Sequence, residues 1–104
     1  MDRFIGSIKI NNKTYEFYIV NKIEGKKTYI GETNYDNGIV KIENGKFKDM
    51  QLTLLHELMH IWLYEKGYKN QKDGCFTFED ICEMVAYSHE FIEDAYRFIC
   101  YGIY

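Results

Sequence analysis

The chain has 104 residues, of which 46% are hydrophobic and 17% are aromatic, and this size and composition suit one compact domain covering residues 1–104. Its formal net charge of -3 argues against a direct nucleic-acid binder, which would carry a basic surface. The N-terminal residues lack the apolar core of a secretory signal, and no apolar stretch is long enough to span a membrane. We therefore expect a soluble, cytoplasmic protein without nucleic-acid or membrane partners, whose oligomeric state the sequence leaves open.

The cysteines do not indicate a disulfide framework. There are three of them, Cys75, Cys82 and Cys100, and none is in Cys-x-x-Cys spacing. Because disulfide scaffolds and zinc knuckles both need paired cysteines at suitable spacing, an odd and irregular set argues against either. We expect reduced thiols.

The first half of the chain alternates between apolar and polar residues with the period of a β-strand. Around the turn-prone Asn11-Asn12-Lys13, the alternating apolar residues are Ile8, Ile10, Tyr15, Phe17 and Ile19. A second pair of alternating segments, residues 28–31 and 38–42, flanks Asn37-Gly38, which suits a tight hairpin turn. Two hairpins predict a small, largely antiparallel sheet.

The second half has helical periodicity. A first helix is predicted from about Lys46 to Lys66, with Gly67 as its C-cap. After a polar loop, Tyr68–Gly74, the residues Thr77 and Asp80 have the spacing of a capping box.

The capping box starts a second helix, which is predicted from Phe78 to roughly Ile99. We expect its apolar stripe to pack on the first helix or the sheet. The stripe consists of Phe78, Ile81, Cys82, Val85, Phe91, Ile92, Ala95, Tyr96 and Ile99. A sheet followed by two helices predicts an α+β fold.

The residues most indicative of chemistry form the run His56-Glu57-Leu58-Met59-His60 on the first helix. Residues four apart lie on one helix face, so His56 and His60 can converge on a single Zn²⁺ ion. Glu57 lies one residue round, where its carboxylate can take a proton from a zinc-bound water. The run therefore predicts a zinc site with Glu57 as the general base.

Two histidines leave a zinc site incomplete, because a catalytic site has three protein ligands and an open position for water. Glu79 and Glu83 on the second helix also share a face. We expect Glu79 to be the third ligand and Glu83 to hydrogen-bond a zinc-bound histidine, with Glu83 as the alternative ligand.

A peptidase also needs a donor that stabilises the tetrahedral oxyanion. Tyr68, Tyr87 and His89 are candidates. We favour Tyr87, which lies one turn beyond Glu83.

These features resemble small gluzincin-type proteins related to the ImmA/IrrE family, which phages and integrative elements often carry. The resemblance extends over about residues 15–90 and rests on residues 31–35, 39–42, 53–60 and 78–86. In that family a glutamate ligand precedes Asn or Asp by four residues, and an apolar-Ala pair follows. Glu79, Glu83 and Val85-Ala86 fall on those positions, and Glu83 departs from the usual Asn or Asp.

The resemblance implies a zinc-dependent endopeptidase of the HExxH + E type acting on a protein or peptide, which in some relatives is a repressor. In such folds a substrate strand pairs with the sheet edge beside the metal, and we expect Gly38–Glu43 to supply that edge.

Two alternatives remain. The first is a catalytically silent zinc-binding or partner-binding protein on the same scaffold. The second is an interaction module that docks through its apolar tail, residues 96–104, although we expect this tail to pack on its own sheet.

Overall fold

The computed structural model describes residues 2–23, 31–68 and 76–103, apart from the side chains of residues 67 and 68. Four strands come first, namely β1 (Arg3–Ile10), β2 (Lys13–Val20), β3 (Gly31–Asn34) and β4 (Ile39–Glu43). The helical half contains α1 (Phe47–Leu63), a π-helical turn (Tyr64–Tyr68), α2 (Phe78–Cys100) and a final 3-10 turn (Tyr101–Ile103). This order of elements confirms the α+β fold.

The four strands form a mixed sheet in the order β1-β2-β4-β3. The first predicted hairpin is present, because β1 pairs antiparallel with β2. An antiparallel hairpin of β3 and β4 also surrounds the predicted Asn37-Gly38 turn, but its first strand is Gly31–Asn34, and residues 28–30 of the predicted strand lie outside the described residues. The hairpins join through a parallel pairing of β2 with β4. The sheet is therefore antiparallel in two of its pairings and parallel in the third.

The strand order corrects the expected substrate edge. Val40 in β4 pairs with Phe17 on one side and with Thr33 on the other, so Gly38–Glu43 lies inside the sheet. Its apolar side chains suit this interior position, since Val40 and Ile42 are completely buried. The edges of the described sheet are β1 and β3.

Two turns fix how the strands align. Asn11 and Asn12 have φ values of 52° and 65°, and asparagine tolerates this left-handed region better than most residues. Gly38 has a φ of +71°, and a Cβ there would lie 2.3 Å from the carbonyl oxygen of Thr14. The amide of Glu16 donates to the Gly38 carbonyl at 2.7 Å, which holds the second hairpin against β2.

The core lies between the sheet and the helices. Helix α1 contacts β3 and β4, whereas α2 contacts α1 and β1. The largest completely buried side chains come from both layers and are Tyr15, Phe17, Val40, Ile42, Leu54, Leu58, Ile61 and Ile99. Burying each large apolar side chain stabilises the fold by about 1.5–3 kcal/mol, so these contacts dominate its stability.

The end of α1 differs from the prediction of a Gly67 C-cap. The α-helix ends at Leu63, and the chain continues through Gly67 in the π-helical turn. Long-range contacts hold this turn against the first hairpin, because the Tyr15 hydroxyl donates to the Glu65 carboxylate and the Asn11 amide donates to the Glu65 carbonyl at 2.6 Å. Burial, together with the hydrogen bond to Glu65 and its charge, raises the pKa of Tyr15 well above its ordinary value.

Helix α2 begins with the predicted capping box. The Asp80 amide donates to the Thr77 hydroxyl at 3.1 Å, and the Thr77 amide donates to the Asp80 carboxylate at 2.9 Å. The helix runs to Cys100, one residue beyond the expected end. Its bounds are therefore as predicted.

The predicted apolar stripe of α2 is wrong in its first half. Phe78 is 90% exposed and Val85 is 60% exposed, and Ile81 and Cys82 are exposed as well. The row that faces the core is instead Met84, Ser88, Phe91, Ala95 and Ile99. Val85 lies about 100° round the helix from Met84, which turns it away from the core.

The chain end packs on β1, as expected. Ile99, Cys100 and Ile103 are buried, and the Arg3 guanidinium donates to the Gly102 carbonyl at 2.5 Å and to the Ile103 carbonyl at 3.3 Å.

Of the cysteines, Cys82 is exposed and Cys100 is buried, and both are free thiols; Cys75 lies outside the described residues. Within the described ranges, no helix has both the length and the hydropathy needed to cross a membrane.

Candidate metal centre

His56 and His60 lie one turn apart on the exposed side of α1. Their Nε2 atoms are 3.0 Å apart, and the ring planes meet at 68°. Two nitrogens bound to the same tetrahedral zinc ion are separated by about 3.3 Å, given Zn–N bonds of about 2.0–2.1 Å. The pair therefore supplies the nitrogen donors of a zinc site, about 0.3 Å closer together than tetrahedral zinc would hold them.

Glu57 follows His56 in sequence, so its side chain lies about 100° round α1 from that histidine. Its side chain is only 5% exposed, and the neighbouring positions on that face, Leu54, Leu58 and Ile61, are apolar and completely buried. The Thr33 hydroxyl donates to Oε1 of Glu57 at 2.6 Å. A carboxylate on the core side of α1 thus reaches toward the edge strand β3.

Gly31 makes the close approach of β3 to α1 possible. A Cβ at this position would lie 2.9 Å from Oε2 of Glu57 and 2.6 Å from Cγ2 of Thr53. Thr53 has little freedom to move aside, because it is buried and its hydroxyl donates to the Asp49 carbonyl at 2.9 Å. A residue without a side chain is therefore needed here.

A cleft of about 380 Å³ opens between β3 and α1. Its described lining consists of Gly31, Glu32, Thr33, Tyr35, His56, Glu57 and His60. The two imidazoles and the carboxylate of the motif thus reach the same cleft.

Tyr35 also lines the cleft and was not among the site residues predicted from the sequence. It lies in the loop after β3, and its ring stacks on Tyr64 with centroids 4.2 Å apart. Burial, followed by the charge of Glu57 and the proximity of Tyr64, raises the pKa of Tyr35 above its ordinary value. The sequence signal that could have identified Tyr35 is the strand period, because side chains at residues 31, 33 and 35 point to the same side of the chain.

The residues predicted on α2 lie elsewhere. Glu79 and Glu83 are exposed near the start of the helix, and Tyr87 is 74% exposed. His89 pairs with Glu93, its Nε2 lying 3.1 Å from a carboxylate oxygen. The side chain of Tyr68 lies outside the described residues.

The structure therefore brings the two histidines together, and no other described side chain completes a metal site with them. Within residues 2–23, 31–68 and 76–103, no group of three His, Cys, Asp or Glu side chains is arranged to hold a metal ion. Glu79 as the third ligand, with Glu83 as the alternative, stays a prediction.

Comparisons of the chain with protein-family models, with curated proteins and with solved structures found no significant match. The resemblance to the ImmA/IrrE family therefore stays a prediction from the sequence segments that carry it.

The close packing at Gly31 is testable by adding one methyl group. We expect Gly31→Ala to lower the free energy of unfolding by about 1–3 kcal/mol, because the new Cβ overlaps Thr53 and Glu57. Gly45→Ala is the matched control, since a Cβ there meets no described atom within 4 Å, and it should change stability by less than about 0.5 kcal/mol. Urea unfolding measures both variants, and equal effects would contradict the assigned packing.

Proposed function

We propose that the protein is a zinc-dependent metalloendopeptidase of the gluzincin type that cleaves a peptide bond in a cytoplasmic protein or peptide. The observation that carries the proposal is the convergence of His56, Glu57 and His60 on one cleft, with the histidine Nε2 atoms 3.0 Å apart. The segments that resemble the ImmA/IrrE family support the same reaction and suggest a repressor as one type of substrate.

The proposed zinc ligands are His56, His60 and Glu79, with Glu83 as the alternative to Glu79. Bound zinc would acidify a coordinated water and polarise the carbonyl that is attacked. Glu57 acts as the general base. It accepts a proton from the attacking water at Oε2, the oxygen that Thr33 does not bond, and passes it to the departing amine.

The substrate is proposed to bind as an added strand on the outer edge of β3. No described strand pairs with that edge, and β3 forms one wall of the cleft. A peptide paired there would run beside His56 and His60 and would gain backbone hydrogen bonds that do not depend on its sequence. The edge strand β3 takes the role that the sequence analysis assigned to Gly38–Glu43.

Tyr35 is proposed to donate to the oxyanion, in place of Tyr87. It lines the cleft together with Glu57 and the two histidines, whereas Tyr87 is largely exposed on α2. The stacked Tyr64 ring limits the motion of the Tyr35 ring, which keeps the donor in place.

A second candidate function is partner binding without catalysis. It is supported by the exposed apolar side chains of Phe78, Ile81 and Val85 on the first half of α2. Groups of exposed large apolar residues are typical of protein-binding surfaces. Failure of the zinc-loaded protein to cleave any peptide would favour this function.

The metal site predicts a specific pattern of zinc content. The purified protein should bind about one zinc ion per chain, His56→Ala should lose it, and Glu57→Gln should retain it while peptide cleavage falls by about 10²–10⁴-fold. Elemental analysis measures the zinc, and mass spectrometry of an unstructured peptide library measures cleavage. His89→Ala is the matched control, because this exposed histidine pairs with Glu93 and does not line the cleft.

The same zinc measurement on Glu79→Ala and Glu83→Ala distinguishes the third ligand from its neighbour. Loss of the ligand should weaken zinc binding more than loss of a residue that only hydrogen-bonds a histidine, which costs about 10–100-fold. A wild-type protein that binds no zinc on titration would refute the proposal.

Strand addition predicts which backbone amides of a cleaved peptide matter. N-methylation of an amide that pairs with β3 should remove about 1 kcal/mol of binding, or roughly a fivefold fall in kcat/KM. The alternate amides, which face away from β3, are the matched control and should tolerate methylation. Equal losses along the whole peptide would argue against an added strand.

The oxyanion donor is tested by removing one hydroxyl. Tyr35→Phe should lower kcat by about 10²–10³-fold, as expected for loss of one oxyanion hydrogen bond, and should leave zinc content unchanged. Tyr87→Phe tests the earlier candidate and should stay within about twofold of wild type. A large fall in kcat for Tyr87→Phe, with no effect of Tyr35→Phe, would identify Tyr87 as the oxyanion donor instead.

A further inference from the structure

Glu57 occupies an unusual place for an ionisable residue. Among the described residues, the buried polar or charged ones are only Thr53, Glu57 and Ser88. A buried carboxylate is costly unless hydrogen bonds replace its lost water, and the hydroxyl of Thr33 supplies one such bond.

The donor itself is held rigidly. Thr33 pairs through its backbone with Val40, a completely buried residue of the interior strand β4. Its branched side chain has few rotamers, so the hydroxyl direction follows from the strand. The sheet therefore sets where the side chain of Thr33 lies relative to Glu57.

The surroundings also limit the second oxygen of Glu57. Oε2 lies beside the bare Cα of Gly31, two residues before Thr33 on the same side of β3. One carboxylate oxygen is thus bonded to the strand, and the other lies where the strand has no side chain. Oε1 is thus occupied by the hydroxyl of Thr33, which makes Oε2 the candidate for proton transfer.

We propose that Thr33 is the positioning residue for Glu57. Its hydroxyl holds Oε1 so that Oε2 is presented to the attacking water, and its strand is also the edge on which the substrate is proposed to pair. The consequence for catalysis rests on the proposed peptidase function. The orientation of Glu57 by Thr33 does not rest on that function, and it can be measured without a substrate.

The test compares two substitutions at one position. Thr33→Val removes the hydroxyl and keeps the branched shape, whereas Thr33→Ser keeps the hydroxyl. In the zinc-loaded protein we expect Thr33→Val to lower kcat by about 10–100-fold with KM changed less than about twofold, because the base is misdirected while the substrate edge is intact. Thr33→Ser should recover kcat to within about threefold of wild type.

Thr14→Val is the matched control, because it makes the same change at an exposed position of β2 and should leave kcat unaltered. If Thr33→Val keeps wild-type kcat, or if Thr33→Ser is as slow as Thr33→Val, a positioning role is overturned. Rescue by serine also separates this role from general destabilisation, which urea unfolding of both variants checks.

A second measurement needs no activity. Three-bond NMR couplings of the Glu57 side chain should report one rotamer in the wild type and in Thr33→Ser, and averaged rotamers in Thr33→Val. Unchanged couplings in Thr33→Val would overturn the positioning role even in an active peptidase. Altered couplings in a protein that cleaves no peptide would refute the proposed function and leave the positioning of Glu57 by Thr33 supported.

Discussion

The hydrogen bond from Thr33 to Glu57 joins the edge of the sheet to the core side of α1. It needs a helix that turns one carboxylate inward while its histidines face outward, and a strand close enough to reach that carboxylate. The helix supplies the first condition through its period, since adjacent residues differ by about 100°. Gly31 supplies the second, because any side chain there would overlap Glu57 and Thr53.

The parallel pairing of β2 with β4 determines which strand borders the cleft. It makes β4 an interior strand and leaves β3 as the outer member of its hairpin. The interior strand contributes completely buried apolar residues to the core, and the short edge strand contributes Gly31 and Thr33 to the cleft. Within this hairpin, β4 thus contributes mainly to the stability of the fold, and β3 contributes to the candidate site.

Helix α2 is divided in a similar way. Its second half packs against β1 and buries Ala95 and Ile99, whereas its first half exposes Phe78 and Val85 together with Glu79 and Glu83. The packed half stabilises the fold. The exposed half carries Glu79 and Glu83, of which one is proposed as the third zinc ligand. It also carries the exposed apolar surface that supports a partner-binding function.

Local patterns in the sequence determined the two hairpins, the helix starts, the capping box at Thr77 and the closeness of His56 to His60, because each depends on residues a few positions apart. Only the tertiary structure decided that β3 is an edge, that α1 continues as a π-helical turn held by Tyr15, and that Thr33 and Tyr35 reach the cleft. These features depend on pairings between segments that are distant in the chain, and no spacing within one segment encodes them. The same reason explains the error on α2, where periodicity identified an apolar stripe but could not indicate which side of the helix faces the core.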